Sequence, residues 1–392
     1  MQLTKYNGKF FSYLILSVCL VMPFANDGYI TSLPHMAVYF STKHTQLIMS
    51  IFMFGSAISQ IFYGPFLDRF GRKPVLVVGL SVYCIGSLIT ICAYSFEIML
   101  IGRIIQAIGA SSCIVSTLTI VKDIYPQEQL IAMTSFIMGI IAICPNLAPI
   151  IGGLLESIGG WRLSFSLFLV MGIFYLIIIS TFLNETHKEK NLQALKFKQI
   201  LITYYQLVKH KKYFGYLATS SCSYGVLFSY FSMAPFLIMY LFKIKVEWVG
   251  IIIALNSIPL LITPYIYPHI IKNSNPSRSV IIGSKIIWLG AIIMLLIHLI
   301  IPHNIFSLIG PMFMSSIGIG VIRPNASAGY MQLIDKKFSG SASALFGLFS
   351  FLGSAIFTSI TTLLTTNSVL PFAYFIVVIA SLSYLSSKLT SQ

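Results

Sequence analysis

Twelve stretches of about 20 mostly apolar residues, parted by short polar breaks, run the length of this 392-residue chain. Helices 1 to 12 are predicted at Phe11–Leu33, Gln46–Phe66, Pro74–Tyr94, Glu97–Val121, Leu130–Leu155 and Leu163–Leu183, then Tyr213–Tyr240, Trp248–Ile271, Ser279–Ile300, Ile305–Gly329, Ser339–Thr365 and Pro371–Ser387. Lipid offers no partner to an open backbone, so runs of this kind are expected to be helices. Only 9% of residues are charged, against roughly 25% in a soluble domain, and 57% are hydrophobic. The solvent of this chain is a bilayer. The first run follows Lys5 and Lys9 as a signal peptide would, but it is too long for one and has no clear cleavage site, so it is expected to be retained.

The longest polar break, Asn184–Lys212, parts the chain into six runs and six. The expected organisation is an N-terminal bundle over 1–183, a linker over 184–212 and a C-terminal bundle over 213–392. With the N-terminus inside, the inner breaks hold 18 of the 25 basic residues, the outer breaks hold Lys43, Arg162, Lys243 and Lys245, and Arg103, Lys285 and Arg323 lie within helices. That asymmetry places both termini in the cytoplasm. It also explains the formal charge of +15 without nucleic acid, because the lysines and arginines sit in loops rather than along a groove. Residues Ala194–Lys212 alternate apolar and basic character; a solvated linker is preferred here over an amphipathic helix on the headgroups.

All six cysteines fall in apolar runs without a C-x-x-C pair, so they read as small buried residues and no metal is expected. An intramembrane enzyme would need a nucleophile with a base, or metal ligands, and neither H-E-x-x-H nor G-x-S-x-G occurs. No phosphate-binding G-x-x-x-x-G-K-[ST] loop occurs either, so no cofactor or nucleotide is expected.

Between helices 2 and 3 stands Gly64-Pro65-Phe66-Leu67-Asp68-Arg69-Phe70-Gly71-Arg72-Lys73. As bare chemistry it is a charged hairpin whose glycines permit a sharp turn. Helix 5 carries Pro145, Pro149, Gly152 and Gly153, which bend a helix and let a neighbour approach closely. The turn resembles the G-x-x-x-D-R-x-G-R-K signature of the major facilitator superfamily, and further segments are similar to its twelve-helix drug:proton antiporters, in particular the bicyclomycin and chloramphenicol resistance group. These segments are Asn26-Asp27-Gly28-Tyr29 with Leu33-Pro34, Arg103 with Gln106 and Gly109, Val121-Lys122-Asp123-Ile124-Tyr125-Pro126, Cys144 to Gly153, Trp161-Arg162, Leu183-Asn184-Glu185-Thr186, Pro324-Asn325-Ala326 and Gly340 to Leu345. Thr31 and Ala107 depart from the usual pattern of that group. The resemblance implies two pseudo-symmetric six-helix bundles with a midplane site between them. It implies a latch at Gly64, Asp68, Arg69, Gly71, Arg72 and Lys73 that holds the cytoplasmic side shut, and a dry interface at the helix 5 motif.

Of the ten acids, Asp27 alone is expected well inside a span. It lies about six residues from the end of helix 1, roughly 9 Å deep, and Arg103 lies at the same depth in helix 4. A carboxyl at such a place is a functional hypothesis by default, since burial favours its neutral form and so lets it trade protons. A static ion pair is the plain alternative; proton coupling by Asp27 and Arg103 is the preferred one. Asn26, Tyr29, Tyr224, Phe228, Phe231, Asn256 and Asn325 are the candidates to line a substrate cavity, and Lys285 and Arg323 are expected to reach for the headgroups, a changed substrate preference being the alternative for Arg323, which stands where the group it resembles commonly has an apolar residue. His298 is expected to be an interface residue. The reading that results is a proton-coupled exporter of drugs or other small amphipathic compounds, monomeric, multi-pass, in a bacterial inner membrane, and not an enzyme. A carrier of a native metabolite or siderophore on the same fold is the alternative.

Overall fold

The computed structural model describes residues 9–125, 127–186, 197–271, 275–301, 304–334 and 339–391. Lys5 and Pro126, named above, lie outside the described residues, as do 187–196, 272–274, 302–303 and 335–338 within the polar breaks. Among the described residues twelve helices are long and apolar enough to span a bilayer. Numbered in chain order, they are Tyr13–Tyr39, Leu47–Phe70, Arg72–Ile91, Phe96–Ile124, Ile137–Gly159, Trp161–Phe182, Lys211–Leu241, Val246–Ile270, Pro276–Ile300, Phe306–Gln332, Ala342–Leu363 and Leu370–Lys388. The chain is an all-α, multi-pass membrane protein.

It folds as two compact units. One comprises Met1–Tyr29 with Ile51–Lys196, the other Ile30–Ser50 with Phe197–Gln392. The far end of helix 1 and the start of helix 2 are therefore counted with the second unit, where the Tyr240 hydroxyl donates to the Pro34 carbonyl at 3.1 Å.

In each unit the most extensive packing joins two consecutive helices, 3 with 4 and 9 with 10. The cause is glycine where the helices cross. A methyl group at Gly86 or Gly109 would strike the backbone of Gln106 or Tyr83, and one at Gly283 or Gly318 would strike the carbonyl of the other. Bare backbone at these positions brings the helix axes together, which is how helices associate where lipid removes the hydrophobic drive.

Helix 1 is not the continuous rod expected. Its α-helical pieces Val21–Asp27 and Leu33–Tyr39 are parted by a 3-10 turn at Ile30–Ser32, and another such turn precedes Val21. Pro34 has no N–H to give to the preceding turn, and the short polar chains of Asn26 and Asp27 favour a helix end. Helix 7 behaves alike, since after Pro235 its α-helix yields to a π-turn at Leu237–Leu241.

Two further expectations change. Helix 5 runs on to Gly159, where Gly160 at φ 72° ends it, so Glu156 is inside the helix and buried at 7% exposure. Asp27 is thus not alone among buried acids. The linker forms a helix, Phe197–Lys209, that turns Tyr204 inward and leaves Ile202 and Tyr205 exposed, rather than a plain solvated strand of chain. Burial there raises the Tyr204 phenol above its ordinary pKa.

Candidate functional site

Arg103 is wholly buried in the first unit, on helix 4. Its Nη1 donates to the Ala25 carbonyl at 3.0 Å and to Oε1 of Gln106 at 2.5 Å. Gln106 in turn donates to the Ser87 hydroxyl at 2.8 Å, and Ser87 to the Tyr83 carbonyl at 2.9 Å, so the tight pair of helices 3 and 4 fixes the arginine's stem. The guanidinium lies 4.1 Å from the centre of the Phe52 ring, 4.4 Å from Tyr29 and 5.7 Å from Phe165. Each such contact adds about 0.5–2 kcal/mol where water is excluded.

The hydrogen bond to Ala25 ties this cation to the broken part of helix 1. Two residues further on, at the end of the Val21–Asp27 piece, Asp27 is 2% exposed and accepts a hydrogen bond from the Asn26 amide at 2.7 Å. Asp27 and Arg103 stand near enough to act on one another electrostatically. The same segment of helix 1 packs against helix 5, where Pro145 is half-buried and Pro149, Gly152 and Gly153 are buried. The structure thus gathers Asn26, Asp27, Tyr29 and Arg103 in one buried polar nucleus.

The turn between helices 2 and 3 is a second centre of charge. Gly71 has φ 102°, a region costly for any residue with a Cβ, and a Cβ there would meet the Glu185 carboxylate at 2.5 Å. Beside it Arg72, 5% exposed, donates from Nε to Asp123 at 2.7 Å and from Nη1 to Asp68 at 3.2 Å and to the Leu67 carbonyl at 2.8 Å. Glu185 accepts from the backbone N–H groups of Arg72 and Lys73 at 3.0 and 3.2 Å, a carboxylate on the positive end of helix 3. Thr186 adds a hydrogen bond to Asp123 at 3.2 Å.

The motif on helices 2 and 3 is therefore completed by acids at the ends of helices 4 and 6. Sequence reading did not place Asp123 and Glu185 in the latch, although both stood in segments it had singled out. Of the remaining latch positions, Arg69 is half-exposed over the Phe70 ring, Lys73 is half-buried, and Gly64 has open space about its Cα.

In the second unit the cavity candidates separate. Tyr224, Phe228 and Phe231 form a run of rings on helix 7 with centroids 6.0 and 5.8 Å apart. Asn256 donates to the Tyr230 hydroxyl at 2.6 Å, a buried neutral pair, whereas Asn325 donates to Val321 of its own helix at 2.8 Å and lines a separate cavity of about 350 Å³. His298 is buried against the Ser368 hydroxyl at 3.0 Å. Lys285 is exposed on helix 9, but Arg323 does not reach for the headgroups; its guanidinium lies 4.7 Å from the centre of the Tyr224 ring.

The sequence profile described as Major Facilitator Superfamily matches residues 15–358. The chain is 24% identical to the "Bicyclomycin resistance protein homolog" of Haemophilus influenzae, covering 97% of each chain. It is 26% identical to the "Chloramphenicol resistance protein" of Pseudomonas aeruginosa, over 96% of this chain and 91% of the other. It is 25% identical to the "Multidrug resistance protein MdtL" of Shewanella oneidensis, over 92% and 90%. Among solved structures it resembles a peptide transporter in complex with alafosfalin, with a TM-score of 0.79 at 15% identity, covering 97% of this chain and 93% of that one. A D-xylose-proton symporter gives a TM-score of 0.78 at 13% identity, over 98% and 97%.

Proposed function

Given that the chain belongs to the major facilitator superfamily, and is a transporter rather than an enzyme, we propose that it is a proton-coupled exporter of small amphipathic compounds, with Asp27 as the proton carrier. One observation carries this reading: a carboxylate 2% exposed, beside the break in helix 1, shares a buried nucleus with a guanidinium that is itself 0% exposed. Burying charge this deeply is costly, and in a transporter such groups mark the path of a coupling ion.

Arg103 stabilises the carboxylate form of Asp27 by charge, and protonation cancels that attraction. The broken helix joins the event to shape, because the Ala25 carbonyl that Arg103 holds lies in the same helical piece as Asp27. Proton gain and loss at Asp27 then biases helix 1 between two positions, which is the coupling that alternating access requires. The relatives named for resistance to bicyclomycin and chloramphenicol support drugs as cargo, and the gradient drives the cycle without a cofactor. We place the protein in a bacterial inner membrane as a monomer, with both termini and the Asp68–Arg72–Asp123–Glu185 latch on the cytoplasmic side and no nucleic-acid partner.

The test uses inside-out vesicles acidified within, with bicyclomycin and chloramphenicol as probes. Wild-type vesicles are expected to accumulate a probe until the gradient is collapsed, and Asp27→Asn vesicles with equal amounts of inserted protein to show none of that gradient-driven part. Equal gradient-driven accumulation in the two overturns the reading.

A further inference from the structure

The search for chemistry beyond Asp27 and Arg103 leads to helix 10. Arg323 is half-buried in the second unit, and among the described residues it makes no hydrogen bond and no ion pair; its recorded contact is the Tyr224 ring at 4.7 Å. That ring lies mid-membrane. Tyr224 is 13 residues from the start of helix 7 at Lys211 and 17 from its end at Leu241, about 20 Å and 26 Å of helix. Arg323 itself stands nine residues from the end of helix 10 at Gln332, about 14 Å. A hydrocarbon core is about 30 Å thick, so a guanidinium laid over Tyr224 is far from the phosphates of either leaflet.

An arginine can shed such a position by extending toward an interface, and Lys285 on helix 9 is exposed to do so. Arg323 turns instead to a wall of rings. Tyr224 has Phe228 at 6.0 Å and Phe351 at 6.3 Å between centroids, so helices 7 and 11 present an aromatic surface with a cation at its edge. Among the described residues no acid pairs with it. The described acid of this unit, Glu247, lies in the first turn of helix 8, at its end. The first unit is built otherwise, since there the buried cation Arg103 has Asp27 nearby.

A planar fork of donors with its partner missing, set against rings, is complementary to a carboxylate borne on an aromatic or flat apolar body. We infer that Arg323 is a substrate-binding residue and that the compounds carried include amphipathic monoanions, whose carboxylate pairs with Arg323 while their apolar part packs on Tyr224, Phe228 and Phe351. This rests on the exporter reading and narrows its cargo. One proton entering for each anion leaving also moves two charges in the same direction, so an inside-negative potential assists export.

The experiment is a binding measurement without any gradient, so that it stands or falls apart from proton coupling. Purified protein in lipid-free maltoside is titrated with 1-naphthoate and with a trimethylammonium compound carrying the same ring system. Wild type is expected to prefer the carboxylate, and Arg323→Gln to lose about tenfold in its affinity while leaving the cation's affinity unchanged or raised. Arg323→Lys keeps the charge without the fork and the stacking; it is expected to weaken carboxylate binding several-fold, about 1 kcal/mol by the same constant, yet to keep the preference for it. Should the glutamine variant not fold, the several-fold loss of carboxylate affinity in the lysine variant decides. Naphthoate bound equally by wild type and either folded variant, or a wild type that prefers the cation, overturns the assignment. Arg323-dependent binding with proton-independent transport would instead spare this inference and overturn Asp27's role.

Discussion

Helix 1 breaks just ahead of Pro34 and helix 7 just after Pro235, and the residues preceding the two prolines carry opposite chemistry. Asp27 stands seven residues before Pro34, and Phe228 stands seven before Pro235; Tyr29 and Tyr230 each stand five before. In the first unit the tyrosine ring covers a buried guanidinium at 4.4 Å, whereas in the second its hydroxyl accepts from Asn256 at 2.6 Å. The helix 3–4 and 9–10 pairs that support these nuclei are closed by glycines in the same manner. A shared scaffold thus holds a titratable nucleus in one unit and a neutral one in the other. The proton coupling proposed above draws on the nucleus of the first unit.

The comparison breaks most readily at Arg103. Replacing it with Leu removes two hydrogen bonds and three ring contacts and leaves Asp27 without its cation, so gradient-driven transport is expected to fall by about 100-fold or more. Arg103→Lys should recover little of this, since an ammonium cannot reproduce the planar fork held by Ala25 and Gln106. Recovery to near wild-type rates would show that charge alone is needed.

Gly71→Ala is next. The positive φ and the displaced Glu185 carboxylate together are expected to cost about 2–3 kcal/mol, seen as a lower midpoint in thermal unfolding of the purified protein. An unchanged midpoint would mean that the latch carries no load in stability. Tyr29→Leu removes one ring from Arg103 and is expected to slow transport by about tenfold, from 1–2 kcal/mol of cation–π contact. Its counterpart Tyr230→Phe deprives the Asn256 amide of an acceptor, and about 1 kcal/mol of stability with transport retained is expected. Were Tyr230→Phe to impair transport as Tyr29→Leu does, the division between a titratable and a neutral unit would fail.

Much of this was legible beforehand. Apolar run lengths gave all twelve spans because the hydrocarbon core sets a minimum length that no other part of the sequence mimics. Asp27 and Arg103 stood out because buried charge is rare in lipid; the equal depths counted from predicted ends did not hold, since helix 1 runs on to Tyr39, twelve residues past Asp27, while helix 4 starts seven before Arg103. What escaped was whatever depends on contacts between distant segments or on where a helix stops. Asp123 and Glu185 looked like ordinary span-end acids until helices 4 and 6 brought them to Arg72. Glu156 lay one residue beyond a predicted end that a run of apolar residues could not locate, since Gly160 rather than polarity stops helix 5. The break in helix 1 was written in Asn26, Asp27 and Pro34, but such residues also occur in unbroken spans. Arg323 was expected at the headgroups because its helix position alone does not tell which neighbour it faces.

The central claim, that the proton rides on Asp27, is tested most directly by infrared difference spectroscopy of the purified protein titrated through the pH range. Subtracting the Asp27→Asn spectra from those of wild type removes the carboxyls of the latch, which both proteins share. The account predicts a protonated-carboxyl band in that difference which grows as pH falls and fades reversibly as it rises. A difference spectrum with no such band at any pH at which the protein stays folded would contradict it.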